Sequence, residues 1–333
     1  MRVAILDDYQ DVVRHLDCFA SLQGHEVKVF NHAARGVGQL AARLADFDAL
    51  VLTRERTRVG EDLLARLPRL RLICQTGKVG PHLDLEACTR RGIVVTESSG
   101  YPQATAEFTW LLILAAVRRL PAYMANLYAG QWQRSVPPRA DWPLAGLGES
   151  VAGKTLGVWG FGRIGQIVAG YGRAFGMRVL VHGRPDSLAA AAAAGFTPLA
   201  DRAAFFAASD VLTLHLRLVD ATRGCISGQD LERMKPTALL VNTSRAELIA
   251  PGALVAALRA GRPGLAAVDV FEREPPHDEP LLGLPNAVCT PHLGFTERQS
   301  YERLFGGAFA NLQAYASGAP SGVANPEALA RSR

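Results

Sequence analysis

Thr155 to Gly165, TLGVWGFGRIG, is the stretch whose reading decides the fold. Thr155, Leu156, Val158 and Trp159 have strand character and run directly into Gly160-Phe161-Gly162-Arg163-Ile164-Gly165. The helix-like QIVAGYGRAFG follows, and Met177–His182 reads as the next strand. In a glycine-rich chain, a G-x-G-x-x-G spacing alone also describes a packing turn. Between a strand and a helix it predicts a dinucleotide loop. Gly160 lets the chain turn tightly, Gly162 lets backbone approach a pyrophosphate, and Gly165 lets the helix close on the strand. The unpaired N–H groups and positive dipole end of that helix form an anion site.

Working outward, 333 residues allow two ordinary domains with sizeable cores. The formal charge of +5 is spread over arginines in singles and pairs, many with acids between them. No basic block carries interleaved aromatics, so nucleic-acid binding is not expected. The five cysteines are scattered, form no C-x-x-C, and mostly sit in apolar runs such as Leu72-Ile73-Cys74, which suits buried thiols in a reducing compartment. MRVAILDDYQD reads as a first strand that turns acidic, not as a secretion signal, and no apolar run reaches membrane-spanning length. The expectation is a cytoplasmic protein without a membrane partner.

Residues 1 to about 100 alternate strand candidates (3–6, 27–30, 49–52, 70–73, 93–95) with helix-like segments at 38–45 and 61–67, a pattern that predicts a parallel sheet covered by helices. None of these strands is followed by a phosphate loop. A helix predicted at 104–120, between Pro102 and Pro121, is apolar nearly all round and must be buried; its expected place is between two domains. The Pro- and Gly-rich segment 134–153, with Trp132 and Trp142 near or within it, reads as an extended arm that contacts another subunit. From Thr155 the alternation resumes, with strands at 177–182, 211–215, 238–242, 265–270 and 287–289, an alanine-rich surface helix around 189–194, and a last helix at 296–316.

Three later segments end strands of the second sheet, on the side where open α/β sheets bind ligands. They are Val241-Asn242-Thr243-Ser244-Arg245, Val268-Asp269-Val270-Phe271-Glu272-Arg273-Glu274-Pro275 and Cys289-Thr290-Pro291-His292. Singly these are a surface arginine, an acidic loop and a satisfied histidine. Together with G-F-G-R-I-G and T-P-H-L-G at 290–294, they make the chain resemble the D-isomer-specific 2-hydroxyacid dehydrogenases over nearly its whole length.

The resemblance implies two Rossmann-like, doubly wound α/β domains: an NAD(P)-binding domain at 103–290 inserted into a flavodoxin-like substrate domain made of 1–102 and 291–333. It also implies hydride transfer between a nicotinamide cofactor and a small anionic 2-hydroxy or 2-keto acid, of the 3-phosphoglycerate, hydroxypyruvate or glyoxylate type, in a homodimer without a metal. Carried over residue by residue, Arg245 binds the substrate carboxylate and polarises the carbonyl, His292 moves the proton, and Glu274 holds His292. Gly160, Gly162, Arg163, Ile164, Gly165, Thr222, Thr243, Asp269 and His292 match cofactor positions, and His215 matches only in part. Where NAD-selective members carry an Asp this chain has Gly183, followed by Arg184, which points to NADP(H). In the substrate loop, Lys78 and Val79 replace an apolar residue and a glycine; a lysine there resembles phosphite dehydrogenase and would suit a second anionic group on the substrate. The alternatives are a phosphite-type oxidation and a cofactor-sensing protein of the corepressor type.

Overall fold

The computed structural model describes residues 1–331 except Arg139 and Asp141. The chain divides into two compact units, Met1–Tyr101 with Phe295–Arg333, and Pro102–Gly294.

The first unit is a five-stranded, all-parallel sheet of β1 (Arg2–Ile5), β2 (Glu26–Val29), β3 (Ala49–Leu52), β4 (Leu72–Gln75) and β5 (Val94–Glu97), in the order β2-β1-β3-β4-β5. This is the flavodoxin-like arrangement. Strands β3 and β4 are buried at every position, which is why ALVL and LICQ lack polar alternation. The last helix, Arg298–Ala316, covers one face with Tyr301, Leu304, Phe305, Ala308, Phe309 and Leu312, three and four residues apart. It starts two residues later than its periodicity suggests. The Glu297 carboxylate accepts from the amides of Gln299 and Ser300 and so caps it.

The second unit is a seven-stranded parallel sheet: β6 (Thr155–Trp159), β7 (Arg178–His182), β8 (Thr197–Pro198), β9 (Val211–Leu214), β10 (Leu239–Asn242), β11 (Leu265–Val268) and β12 (Ala287–Cys289), ordered β12-β11-β10-β9-β6-β7-β8. The order reverses between β6 and β9, so the crevice for a ligand opens beyond the ends of these two strands.

Three expectations are corrected here. The long apolar helix spans Pro102–Val117 rather than 104–120, and most of its buried residues belong to the second unit's own core. Trp110 and Ile113 pack with Val168, Leu239, Val241 and Leu265, and the Trp110 indole donates to the Val168 carbonyl at 3.1 Å. Arg119 then turns left-handed (φ 56°), and Pro121 opens a separate helix, Leu120–Tyr128. Among the described residues no single helix is long and apolar enough to cross a membrane.

Second, the two arm tryptophans differ. Trp142 is core, 7% exposed, with the Arg119 guanidinium 4.4 Å from its ring centre, whereas Trp132 is 75% exposed. Third, residues 291–294 fall in the second unit because the Asp269 carboxylate binds the Leu293 and Gly294 amides, both at 2.8 Å.

Candidate active site

Each glycine of the loop after β6 has a separate physical reason. Gly160 is left-handed (φ 98°), and a Cβ there would sit 2.6 Å from the His215 carbonyl oxygen. A Cβ on Gly165 would come within 2.1 Å of the Gly160 carbonyl oxygen, so only glycine lets the helix Arg163–Ala174 lie this close to the strand. A Cβ on Gly162 would meet nothing within 4 Å. Gly162 is thus bare where the protein leaves space, and it caps the helix without a side-chain hydrogen bond. A bare, uncapped helix start of twelve residues is a cradle that fits a dinucleotide pyrophosphate.

Three strand ends on the same sheet carry the groups that the sequence singles out. Beyond β10, the Asn242 side chain donates to the Arg245 carbonyl at 2.8 Å and accepts from the Ser244 amide at 3.0 Å. This buried amide shapes the turn that presents Arg245, and one guanidinium nitrogen of Arg245 donates to the Ser244 carbonyl at 2.6 Å. Beyond β11, Glu274 accepts from the Phe271 amide at 3.0 Å. Beyond β12, His292 has a left-handed backbone (φ 54°), and its Nδ1 lies 2.7 Å from Glu274 Oε2. Burial raises the Glu274 pKa, but the hydrogen bond and charge of His292, the Phe271 amide and the Arg245 charge together hold it below the ordinary carboxylate range. The carboxylate therefore stays ionised above that lowered value, and as an anionic partner for His292 it is lost as pH falls through it.

The profile of the D-isomer-specific 2-hydroxyacid dehydrogenase NAD-binding domain matches residues 110–294. The chain belongs to the D-isomer-specific 2-hydroxyacid dehydrogenases. It is 42% identical over 294 residues to the glyoxylate reductase of Aeropyrum pernix, covering 86% of this chain and 85% of that one. To the D-3-phosphoglycerate dehydrogenase of Methanocaldococcus jannaschii it is 36% identical over 263 residues, 79% of this chain and 48% of that one. A crystal structure from Ralstonia solanacearum, provisionally assigned as a D-3-phosphoglycerate dehydrogenase oxidoreductase, superposes with a TM-score of 0.96 at 56% identity, covering 98% of both chains. The protein is an NAD(P)-dependent dehydrogenase of hydroxy and keto acids, and neither phosphite oxidation nor cofactor sensing is favoured.

Several other residues of this dehydrogenase that the sequence picks out hold loops with their side chains. The Thr222 hydroxyl closes its own turn, donating to the Arg217 carbonyl and accepting from the Val219 amide. Thr243 is buried, its hydroxyl 2.8 Å from that of Thr109 on the long helix. The His215 ring pairs with the Thr213 hydroxyl at 3.0 Å, and burial pushes its pKa down to about 3, so it stays neutral. Asp269 is fully buried, with its carboxyl raised by burial; it accepts from the Thr290 hydroxyl at 2.6 Å as well as from the two loop amides. It thereby sets the loop that carries His292. Arg163 and Arg184 are exposed, and Ile164 is half-buried.

Lys78 and Val79 lie in the first unit, after β4. Both bind Glu97: the lysine ammonium at 2.5 Å and the Val79 amide at 2.7 Å. The phosphite comparison rested on Lys78, and here that cation already has a carboxylate partner. Glu97 escaped sequence reasoning, and as sequence Asn242 is only part of the segment that ends with Arg245, without a role of its own. Asn242 left one signal, a polar residue closing the otherwise apolar strand Leu239-Leu240-Val241.

Proposed function

We propose that this dehydrogenase interconverts a small monocarboxylic 2-keto acid, of the glyoxylate or hydroxypyruvate kind, and its D-2-hydroxy acid in the cytoplasm. The observation that carries this reading is the 2.7 Å contact between His292 Nδ1 and Glu274 Oε2, beside Arg245 and on the same sheet as the glycine loop. With Nδ1 engaged by Glu274, Nε2 is the nitrogen that gives the proton to the carbonyl oxygen during reduction and takes it back during oxidation. Arg245 binds the carboxylate and draws electron density from the carbonyl. The nicotinamide cofactor, when bound, supplies or accepts the hydride. Arg163 and Ile164 offer their amides to its pyrophosphate, while Thr222, Thr243, Asp269 and His215 hold the loops around it. The test is a panel of glyoxylate, hydroxypyruvate and 3-phosphohydroxypyruvate with both cofactors; no turnover on any of them overturns the assignment.

NADP(H) is the proposed cofactor. A Cβ at Gly183 would press on Ser187 Cβ at 3.2 Å, and Arg184 caps the following helix with its side chain exposed. Gly183 stands where NAD-selective relatives carry an acid that would repel a 2′-phosphate, and the arginine after it is suited to bind one. Arg184→Ala is expected to raise KM for NADPH by about tenfold or more, with KM for NADH nearly unchanged. A wild-type preference for NADH would reject the reading.

The proposed assembly is a homodimer. The helix Leu120–Tyr128 has no buried residue although it exposes Leu120, Met124, Leu127 and Tyr128, and Trp132, Leu144 and Leu147 are exposed nearby in the chain. So much exposed apolar surface suits a second copy. Sedimentation should give the mass of two chains for the wild type and of one chain for Leu127→Glu; a monomeric wild type would end the proposal.

A further inference from the structure

The turn that ends in Arg245 is pinned from more than one side. Within it, the Asn242 side chain bonds the Arg245 carbonyl and the Ser244 amide. Towards β9, the Ser244 hydroxyl donates to the Leu214 carbonyl at 2.7 Å. Towards the long helix Pro102–Val117, the buried Thr243 hydroxyl meets that of Thr109 at 2.8 Å. This last bond has a direction. The single proton of the Thr109 hydroxyl goes to the Thr105 carbonyl, one turn earlier, at 2.8 Å. Thr243 is therefore the donor and Thr109 the acceptor. The same stretch of helix also lies under the loop of His292. A Cβ on Gly294 would come within 3.5 Å of Thr105 Cγ2, 3.8 Å of Phe108 Cδ1 and 3.1 Å of Asp269 Oδ2, so the loop backbone rests directly on the helix. Thr105 and Thr109 share a helix face and thus give the turn of Arg245 and the loop of His292 one base. All of these residues belong to the second unit.

We infer that Thr109 is a positioning residue for the keto acid reaction: its hydroxyl ties the Arg245 turn to the helical turn beneath the His292 loop and so fixes the spacing of those two side chains. The inference rests on the roles proposed above for Arg245 and His292. Holding a carboxylate and delivering a proton to the neighbouring carbonyl oxygen require both groups at one separation, and a misplacement of about 1 Å can cost roughly a hundredfold in rate. Thr109 is fully buried, so it acts through Thr243 rather than on the substrate. A hydroxyl that must accept is also a demanding support, because deleting it leaves the buried Thr243 proton without its acceptor.

Thr109→Val keeps the volume and removes the acceptor, whereas Thr109→Ser keeps the hydroxyl. In the full-length enzyme with its preferred cofactor, Thr109→Val is expected to lower kcat/KM for hydroxypyruvate by about tenfold, mostly through kcat, while Thr109→Ser stays within about threefold of wild type. Cofactor affinity, read by fluorescence titration, should be unchanged in both. A double-mutant cycle separates positioning from general loosening. In an Arg245→Lys background, Thr109→Val should cost less than about twofold, because the fork that it aligns is gone. Thr243→Val reads the same bond from the strand side if Thr109→Val folds poorly, and its loss should likewise vanish in that background. Full activity in Thr109→Val, a loss in Thr109→Ser as large as in Thr109→Val, an equal loss in both backgrounds, or a loss confined to cofactor affinity overturns the role of Thr109. An Arg245→Lys enzyme as active as the wild type strikes instead the functional reading beneath it.

Discussion

His292→Asn is expected to lower kcat for keto acid reduction by about a thousandfold, within the span typical of a lost general acid, while cofactor affinity stays near the wild-type value. Asparagine is the informative replacement because His292 sits at φ 54°, a left-handed backbone that asparagine tolerates better than most residues. The loop would therefore keep its shape, and the Asp269 carboxylate would continue to hold the Leu293 and Gly294 amides. What disappears is a titratable nitrogen oriented by the 2.7 Å contact between Nδ1 and Glu274. Steady-state kinetics beside a fluorescence titration with NADPH separate the two effects. A kcat within about threefold of wild type would remove His292 from the proton transfer.

The second large effect belongs to Arg245→Lys, for which kcat/KM is expected to drop by about a hundredfold or more although the charge is conserved. A guanidinium offers a planar fork that matches a carboxylate, and an ammonium is a point charge on a flexible stem. The turn beneath Arg245 is shaped by the Asn242 side chain, which bonds the backbone of residues 244 and 245, and the bond from the Arg245 guanidinium to the Ser244 carbonyl is one that a lysine ammonium can also donate. Thermal unfolding should therefore be nearly unchanged, and the loss should appear in kcat as well as KM, because the role proposed for Arg245 is both to bind the carboxylate and to polarise the carbonyl. A loss confined to KM would restrict it to binding.

Much of the architecture was legible without coordinates because its causes are local. Glycine at 160, 162 and 165 answers to a positive φ, an open face and a close helix approach, constraints within a few residues along the chain, to which only Gly160 adds a distant one, the His215 carbonyl. Fully buried parallel strands such as ALVL at 49–52 announce themselves by composition. The order of Arg245, Glu274 and His292 after successive strands likewise put them at the same end of one sheet, as β10, β11 and β12 are neighbours in parallel register. For the long apolar helix the sequence left the packing partner open. Near-uniform apolarity says that a helix is buried but not against what, and Trp110 packs under its own sheet.

What the sequence by itself determined is therefore the fold class, the glycine loop between strand and helix, and the placing of Arg245, Glu274 and His292 at neighbouring strand ends, each set by short-range geometry or by strand order. Only the tertiary structure decided which polar groups neutralise one another. Glu97 meets Lys78 across 19 residues, Asp269 reaches the 293–294 amides across 24 and 25, and Thr109 meets Thr243 across 134. Trp142, which as sequence looked like exposed arm, is buried against Arg119. Charge and hydrogen-bond partners are chosen by proximity in space, and spacing along the chain carries no record of that choice once a β-α-β crossover lies between the two groups.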